Sequence, residues 1–231
     1  MHIAVAIVGF RNSRDIVDCL NALSRSTHQD FEVIICENGG REAYEELVTA
    51  VPAQLAGGQP VRVIIAPTNL GFAGGVNVCL NEAPNADAWW LLNPDTEPDA
   101  EALSAMVRRL SVGDCEAVGC TIVLPDGSVQ SHGGRWRPWL ARAELIGIGD
   151  DTGRPADRVA VEQAQSFLSG ASMLVGRRFL EVVGPMREEY FLYVEEVEWC
   201  VRGLLRGMRL GFSPEARVVD NAAASRRRAV G

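Results

Sequence analysis

Unbroken apolar runs alternate with helix-spaced ones through the first 124 residues. Ile3 to Val8 is continuous and apolar, which suits a strand covered on both faces. After the polar turn Arg11-Asn12-Ser13-Arg14, Ile16, Val17, Leu20 and Leu23 recur at helical spacing. The same alternation predicts strands at Phe31 to Cys36, Val61 to Ala66, Ala88 to Leu92 and Ala117 to Leu124. Helices are expected at Arg41 to Val51 and near Ala73 to Glu82. A fourth, carrying Leu103, Met106, Val107 and Leu110, has Asp99 as its expected cap. Leu55 to Pro60 is a Gly/Pro loop. Repeated β–α alternation implies an α/β fold: a mostly parallel sheet with helices on both faces.

The second half reads differently. Pro125-Asp126-Gly127 is a hairpin turn. His132 to Gln165 has little periodicity and many Gly, Arg and Pro residues, the mark of a functional or mobile loop. Order resumes at Phe167 to Val175. Arg177 to Val183 predicts a short helix, and Val194 to Arg206 a longer one ending at Gly207. Arg209 to Phe212 and Arg217 to Val219 are short strand candidates. No internal repeat and no linker between domains is evident, so 1–231 is expected to be one domain.

Charge narrows the function classes. The net charge is −8, and all 22 basic residues are arginine. The absence of lysine excludes a Schiff base, a P-loop lysine and a lysine nucleophile. An acidic chain is a poor generic binder of nucleic acid or anionic membranes, although a local basic patch stays open. No apolar run reaches the roughly 18 residues of a membrane span. The six cysteines are dispersed without a CxxC pair, which suits reduced core residues of a cytoplasmic protein rather than a zinc site or disulfides.

In an open parallel sheet, ligands bind beyond the carboxyl ends of the strands. Those ends carry Phe10-Arg11-Asn12, Glu37-Asn38-Gly39-Gly40, Thr68-Asn69-Leu70-Gly71 and Asn93-Pro94-Asp95-Thr96. Each cluster alone is ordinary turn chemistry; four on one rim are a site. Asp95 can hold a hard divalent cation that also binds phosphate oxygens, or can simply start the next helix. Asn69 to Asn77 is not a GxGxxG fingerprint, yet its glycines allow close approach of backbone to a ligand, or close helix–sheet packing. Glu195, Glu196 and Glu198 crowd one helix start. Mutual repulsion suits a general base there, and the helix dipole is the other explanation. Arg202, one turn later, either pairs with Glu198 or faces a phosphate.

Taken together these residues resemble family 2 glycosyltransferases, especially the rhamnosyltransferase-like branch, from about Ile3 to Ser225. The most specific pieces are Asn69-Leu70-Gly71-Phe72-Ala73-Gly74-Gly75-Val76-Asn77, Leu91-Leu92-Asn93-Pro94-Asp95-Thr96 and Phe167-Leu168-Ser169-Gly170-Ala171-Ser172. The segments Val183-Gly184-Pro185-Met186 and Tyr190 to Glu198 complete the set. The resemblance implies a GT-A (Rossmann-like) fold, a nucleotide-diphosphate sugar donor and an inverting transfer. It divides the chain into a nucleotide-sugar-binding half, 1–124, an acceptor half, 125–225, and a basic tail, 226–231. Phe10, Asn12, Glu37, Asn38, Asn69, Gly71, Phe72, Asn77, Asn93 and Asp95 are then expected at the nucleotide sugar. Gly170, Ala171, Ser172, Glu198 and Arg202 are expected around the donor and acceptor sugars. Asp95 matches the family's metal-binding acid, and Glu196, beside Glu195, matches its catalytic base.

The departures matter. Glu37, Glu196 and Glu198 stand where the family usually carries aspartate. Asp220 stands where a metal-facing histidine is usual, and Asn221 is the other candidate there. An aspartate is an oxygen ligand suited to magnesium or manganese, or it marks altered metal use or lost activity. The expected partners are a dTDP- or UDP-linked sugar and a saccharide or lipid-linked acceptor in polysaccharide biosynthesis, with no nucleic acid. Rhamnose is suggested by the branch alone. A sugar-phosphate nucleotidyltransferase is disfavoured by the missing Gly-rich basic loop. A glycosyltransferase-like binding module without turnover is the alternative that Asp220 supports. His132 to Trp139 interleaves basic and aromatic groups. It either closes over the acceptor, meets a lipid-linked substrate at the inner membrane face, or is a solvated loop. The run Arg226 to Arg228 either touches anionic lipid or is a frayed tail.

Overall fold

The computed structural model describes residues 1–221. The expected contact of Arg226 to Arg228 with lipid therefore lies outside the described residues. Strands β1 (Ile3–Gly9), β2 (Phe31–Glu37), β3 (Val61–Ile65), β4 (Ala88–Leu92) and β6 (Ala117–Val123) match the apolar runs within one residue at either end. So do helices α1 (Ser13–Leu23), α2 (Arg41–Ala50), α3 (Gly71–Glu82) and α4 (Ala102–Ser111) in position and order. Further on come β5 (Thr96–Pro98), β7 (Val129–Ser131), β8 (Gly134–Arg137), β9 (Arg142–Leu145) and β10 (Ser172–Gly176). Helices α5 (Arg158–Ala164), α6 (Arg177–Val183) and α7 (Glu195–Leu205) and strand β11 (Leu210–Asp220) complete the described chain.

One sheet runs β3-β2-β1-β4-β10-β6-β11-β5, with β7 on β6. The pairs β1–β2, β1–β4, β2–β3 and β6–β11 are parallel. Because β10 lies antiparallel between β4 and β6, those two strands also run the same way. Strands β5 and β7 run against their neighbours. The sheet is thus mostly parallel, with β10, threaded back from the second half of the chain, running antiparallel at its centre.

Both faces are buried, as the continuous runs require. Side chains alternate across a strand. In β1, Ile3, Val5 and Ile7 join Ile16, Leu20, Trp90 and Met106 on one face. Ala4 and Ala6 join Val76, Trp89, Phe179 and Trp199 on the other. Helices α1 and α4 cover the first face, and α3, α6 and α7 the second.

Four expectations need correction. The segment 132–165 is not one irregular loop. It holds the β8–β9 hairpin and α5, whose start Asp157 caps by accepting from the Val159 and Ala160 amides at 2.9 and 3.2 Å. The two short strands near the end are one strand, β11, bulged between Ser213 and Arg217. Thr96–Pro98 is a strand as well as a turn, because β11 lies beside it. Asp99 does not cap α4 with its side chain; its backbone carbonyl accepts from Ala102 N at 2.9 Å.

Candidate active site

The rim forms where β1, β2 and β4 end side by side. Glu37 closes β2 and is almost wholly buried. Its Oε1 accepts from Gly39 N at 2.7 Å and from Arg11 N at 3.1 Å, which fixes two turns of the rim. Its Oε2 is buried without a hydrogen-bond partner. A buried carboxylate oxygen left bare is costly, so it calls for a donor. Gly9 packs against it: a Cβ there would stand 2.7 Å from that oxygen. Arg11, held at φ 54°, donates from Nε to Gly39 O at 3.2 Å and lies 5.6 Å over the Phe10 ring. Phe10 is exposed, and its amide donates to Asn12 Oδ1 at 3.0 Å.

The side-chain amides of Asn38 and Asn77, expected at the nucleotide sugar, are engaged within the protein. Asn38 Nδ2 donates to Gly71 O at 2.9 Å and its Oδ1 accepts from Leu70 N at 3.3 Å. It is a strut between the end of β2 and the loop before α3. Asn77 clamps α3 to the later chain: its amide exchanges two bonds of 3.0 Å with the Met186 backbone and donates to Glu188 at 2.9 Å. Asn69 Oδ1 accepts from Gly71 N at 3.0 Å and shapes the turn.

Gly71 sits at φ +70, and a Cβ there would stand 2.2 Å from the Phe191 carbonyl oxygen. That carbonyl accepts from Phe72 N at 2.9 Å. The 69–72 loop and the segment before α7 are thus stitched through backbone. Gly71→Ala meets both a left-handed backbone and a backbone clash. We expect it to destabilise the fold by about 2 kcal/mol or more, read as a lower urea midpoint; an unchanged midpoint would show that the stitch is slack. Nothing in the apolar run Tyr190 to Val194 signals this contact between 69–72 and 191. Within that run Tyr193 and Val194 both hold positive φ, 74° and 73°, immediately before Glu195.

Asn93 links the rim to the turn before β10, its backbone N–H donating to Ala171 O at 3.0 Å. One residue before, Gly170 faces Glu196: a Cβ on Gly170 would lie 3.6 Å from Glu196 Cγ. Asn93, Ala171, Gly170 and Glu196 therefore follow one another across a single turn. Glu196 is half-buried, and burial raises its pKa from the ordinary carboxylate value, partly opposed by amides at the helix start. Glu195 is 5% exposed and has a buried, unpartnered Oε2. Burial, with the Glu196 charge adding to it, pushes its pKa up to about 7.

Three other residues stand elsewhere than expected. Ser172 is wholly buried, accepting from Trp90 Nε1 at 2.9 Å, so it belongs to the core between β4 and β10. Glu198 and Arg202 form a clasp, with bonds of 2.8 and 3.1 Å. Arg202 also donates to the carbonyls of Val183 and, at 2.8 Å, Pro185. Its donors thus hold the 183–185 turn on α7, and they do not face a phosphate.

Asp95 is half-exposed beyond β4. Its carbonyl accepts from Asn221 N at 2.9 Å, and Asp220 pairs across the sheet with Thr96. The backbones of 95–96 and 220–221 therefore lie side by side. Asp220 is 6% exposed and accepts from Gln130 Nε2 at 3.2 Å. An aspartate carboxylate is a ligand type suited to a hard cation that takes its other ligands from phosphate and water. Among the described residues, no group of three or more His, Cys, Asp or Glu side chains forms a complete cage.

A family model for glycosyl transferase family 2 matches residues 5–179, three quarters of the chain. The chain belongs to that family. Among curated family 2 relatives, the Mycobacterium tuberculosis N-acetylglucosaminyl-diphospho-decaprenol L-rhamnosyltransferase is 27% identical over 226 residues, covering 89% of this chain and 71% of that protein. A low-salt glycan biosynthesis hexosyltransferase of Haloferax volcanii is 21% identical over 222 residues, covering 94% of this chain and 66% of that protein. The fold is the GT-A fold of solved transferases. GalNAc-T7, crystallised with UDP, GalNAc and Mn2+, superposes with a TM-score of 0.76 at 15% identity over 95% of this chain. A Pyrobaculum calidifontis mannosyltransferase in complex with GDP-Man and Mn2+ gives 0.68 at 15% identity, also over 95%. This family 2 chain spans 44% and 56% of those two chains.

Proposed function

We propose that the chain moves a sugar from a nucleoside-diphosphate sugar to a saccharide or lipid-linked saccharide hydroxyl, with inversion. The observation that carries this reading is the single turn joining Asn93, Ala171 and Gly170 to the half-buried Glu196. It sets a carboxylate of raised pKa across from the rim that ends in Asp95. Glu196 removes the proton of the acceptor hydroxyl, whose oxygen attacks the anomeric carbon opposite the diphosphate. Glu37, whose Oε2 has no hydrogen-bond partner in the fold, and Phe10 and Asn12 just beyond the neighbouring end of β1 are the proposed nucleoside contacts.

Asp95 and Asp220 would hold the magnesium or manganese ion. When bound, it would offset charge developing on the diphosphate leaving group. The relatives support the substrate class: one is an N-acetylglucosaminyl-diphospho-decaprenol L-rhamnosyltransferase, and solved neighbours hold UDP, UDP-GlcNAc or GDP-Man. A dTDP- or UDP-linked sugar, rhamnose first, is therefore the donor to test.

The experiment is a nucleotide-sugar screen by mass spectrometry, with magnesium, manganese or neither. We expect turnover of one donor with either metal. Asp220→Ala should lower that turnover in both, and Asp220→His should shift preference toward manganese, because an imidazole nitrogen suits softer ions. Identical activity and metal dependence in Asp220→Ala would remove Asp220 from the ligand set. Binding of nucleoside diphosphate without turnover of any donor would favour a glycan-binding module over an enzyme.

A further inference from the structure

The β8–β9 hairpin leaves the main sheet and forms a two-stranded sheet of its own. It is rooted by Gly134, which exchanges backbone bonds with 166–167 and lies so close to the Phe167 ring that a Cβ would overlap it. Two-stranded hairpins standing alone in water are marginal. This one also carries its apolar residues at the tip. In the 3-10 turn Pro138–Leu140, Trp139 is 99% exposed and Leu140 69% exposed. Leu145 and Ile148 beyond them are exposed too.

Charge is distributed against the trend of the chain. Within Gly134 to Leu145 there are three arginines and one glutamate, in a protein of net charge −8. Arg137 Nε holds Glu144 at 3.0 Å across the strands, and Arg142, paired in register with Arg137, is exposed. At the root, Trp136 lines a groove of about 370 Å³ together with Tyr190, Val194 and Val197. That groove runs along the α7 face of Val197, Val201 and Leu205, with Glu198 and Arg202 at its edge.

We propose that this hairpin is a membrane anchor, its Trp139-Leu140 tip entering the headgroup region of an anionic bilayer while Arg137 and Arg142 meet lipid phosphates. An aromatic ring with an aliphatic neighbour at a loop tip prefers the bilayer interface, where apolar body and polar edge are both accommodated. Flanking arginines add attraction to anionic lipid and can lie along its surface. A protein partner would fit the apolar tip, but Arg137 and Arg142, which flank Trp139-Leu140 more closely than Asp150 and Asp151 do, favour a negatively charged surface. The groove beside Trp136 then opens toward the membrane, where a lipid-linked acceptor resides. That last step rests on the proposed acceptor; the anchor does not.

The test is co-sedimentation of the full chain with vesicles of phosphatidylcholine alone or mixed with phosphatidylglycerol. Binding is expected to the mixed vesicles and to weaken with salt. Replacing Trp139→Ser and Leu140→Ser together should lower it at least about tenfold, with an unchanged thermal melt. Trp139→Phe should retain binding but lose the blue shift of tryptophan emission. Arg226 to Arg228 stay in every variant, so any pull from them is common to all. Equal binding by the native chain and the double variant, or no vesicle binding by the native chain, would overturn the anchor. So would a dimer in solution that the double variant alone dissolves, which would make the tip a contact between copies. None of these readouts needs donor or acceptor, so failure of the anchor is distinguishable from failure of the transferase reading.

Discussion

Glu196→Gln is expected to bind donor as the native chain does and to transfer sugar about 10²–10⁴-fold more slowly. The amide matches the carboxylate in shape but cannot take the acceptor proton. Gly170 leaves room against Glu196 Cγ, so the substitution adds no clash. Burial raises the Glu196 pKa, so the acid limb of the transfer rate against pH should lie above the ordinary carboxylate range. Its neighbour supplies a control. Glu195 titrates near 7 in the folded chain against 4.5 for an unperturbed glutamate. The fold therefore holds that proton more tightly than the unfolded chain does. Its contribution favours folding below about pH 4.5 and is lost as pH rises to about 7. Glu195→Gln should flatten that decline in urea melts, whereas Glu196→Gln should act mainly on transfer. Native-rate transfer by Glu196→Gln would overturn the assignment.

Asp95→Ala should abolish the metal-linked part of nucleoside-diphosphate binding while leaving the fold intact. Asp95 stands half-exposed at the end of the wholly buried strand Ala88–Leu92, so its loss opens no core cavity. Its backbone carbonyl, which accepts from Asn221, survives the substitution. In an acidic, lysine-free chain, a diphosphate depends on a bound cation for compensation. Titration calorimetry with UDP, with and without manganese, should show a clear metal dependence in the native chain and about none in the variant. A loss of one carboxylate ligand of two corresponds to at least about tenfold in affinity. Equal metal dependence in both proteins would place the cation elsewhere.

The order of strands and helices through residue 124 was legible because each strand is buried on both faces and reads as an unbroken apolar run. The rim was legible for a related reason: polar turns at successive strand ends of a parallel sheet must converge. Glu37, Asn93 and Asp95 stand at such ends. What a side chain does at the rim was decided by packing. Asn38 and Asn77 are amides that any ligand would welcome, yet their partners are Gly71 and Met186, and in the second case the partner is 109 residues away. Ser172 was expected at the sugar, but strand alternation buries it against Trp90. The pairing of Arg202 with Glu198 was open in the sequence, and only the folded turn at 183–185 added the carbonyls that complete it. Strand β10 enters the sheet antiparallel, and β11 brings Asp220 beside Thr96, through contacts that no local pattern encodes. The sequence alone determined the α/β class and the residues at strand ends, because burial and turn chemistry are local. Tertiary structure alone decided which of those residues remain available to a ligand, because hydrogen-bond partners distant in sequence claim the others.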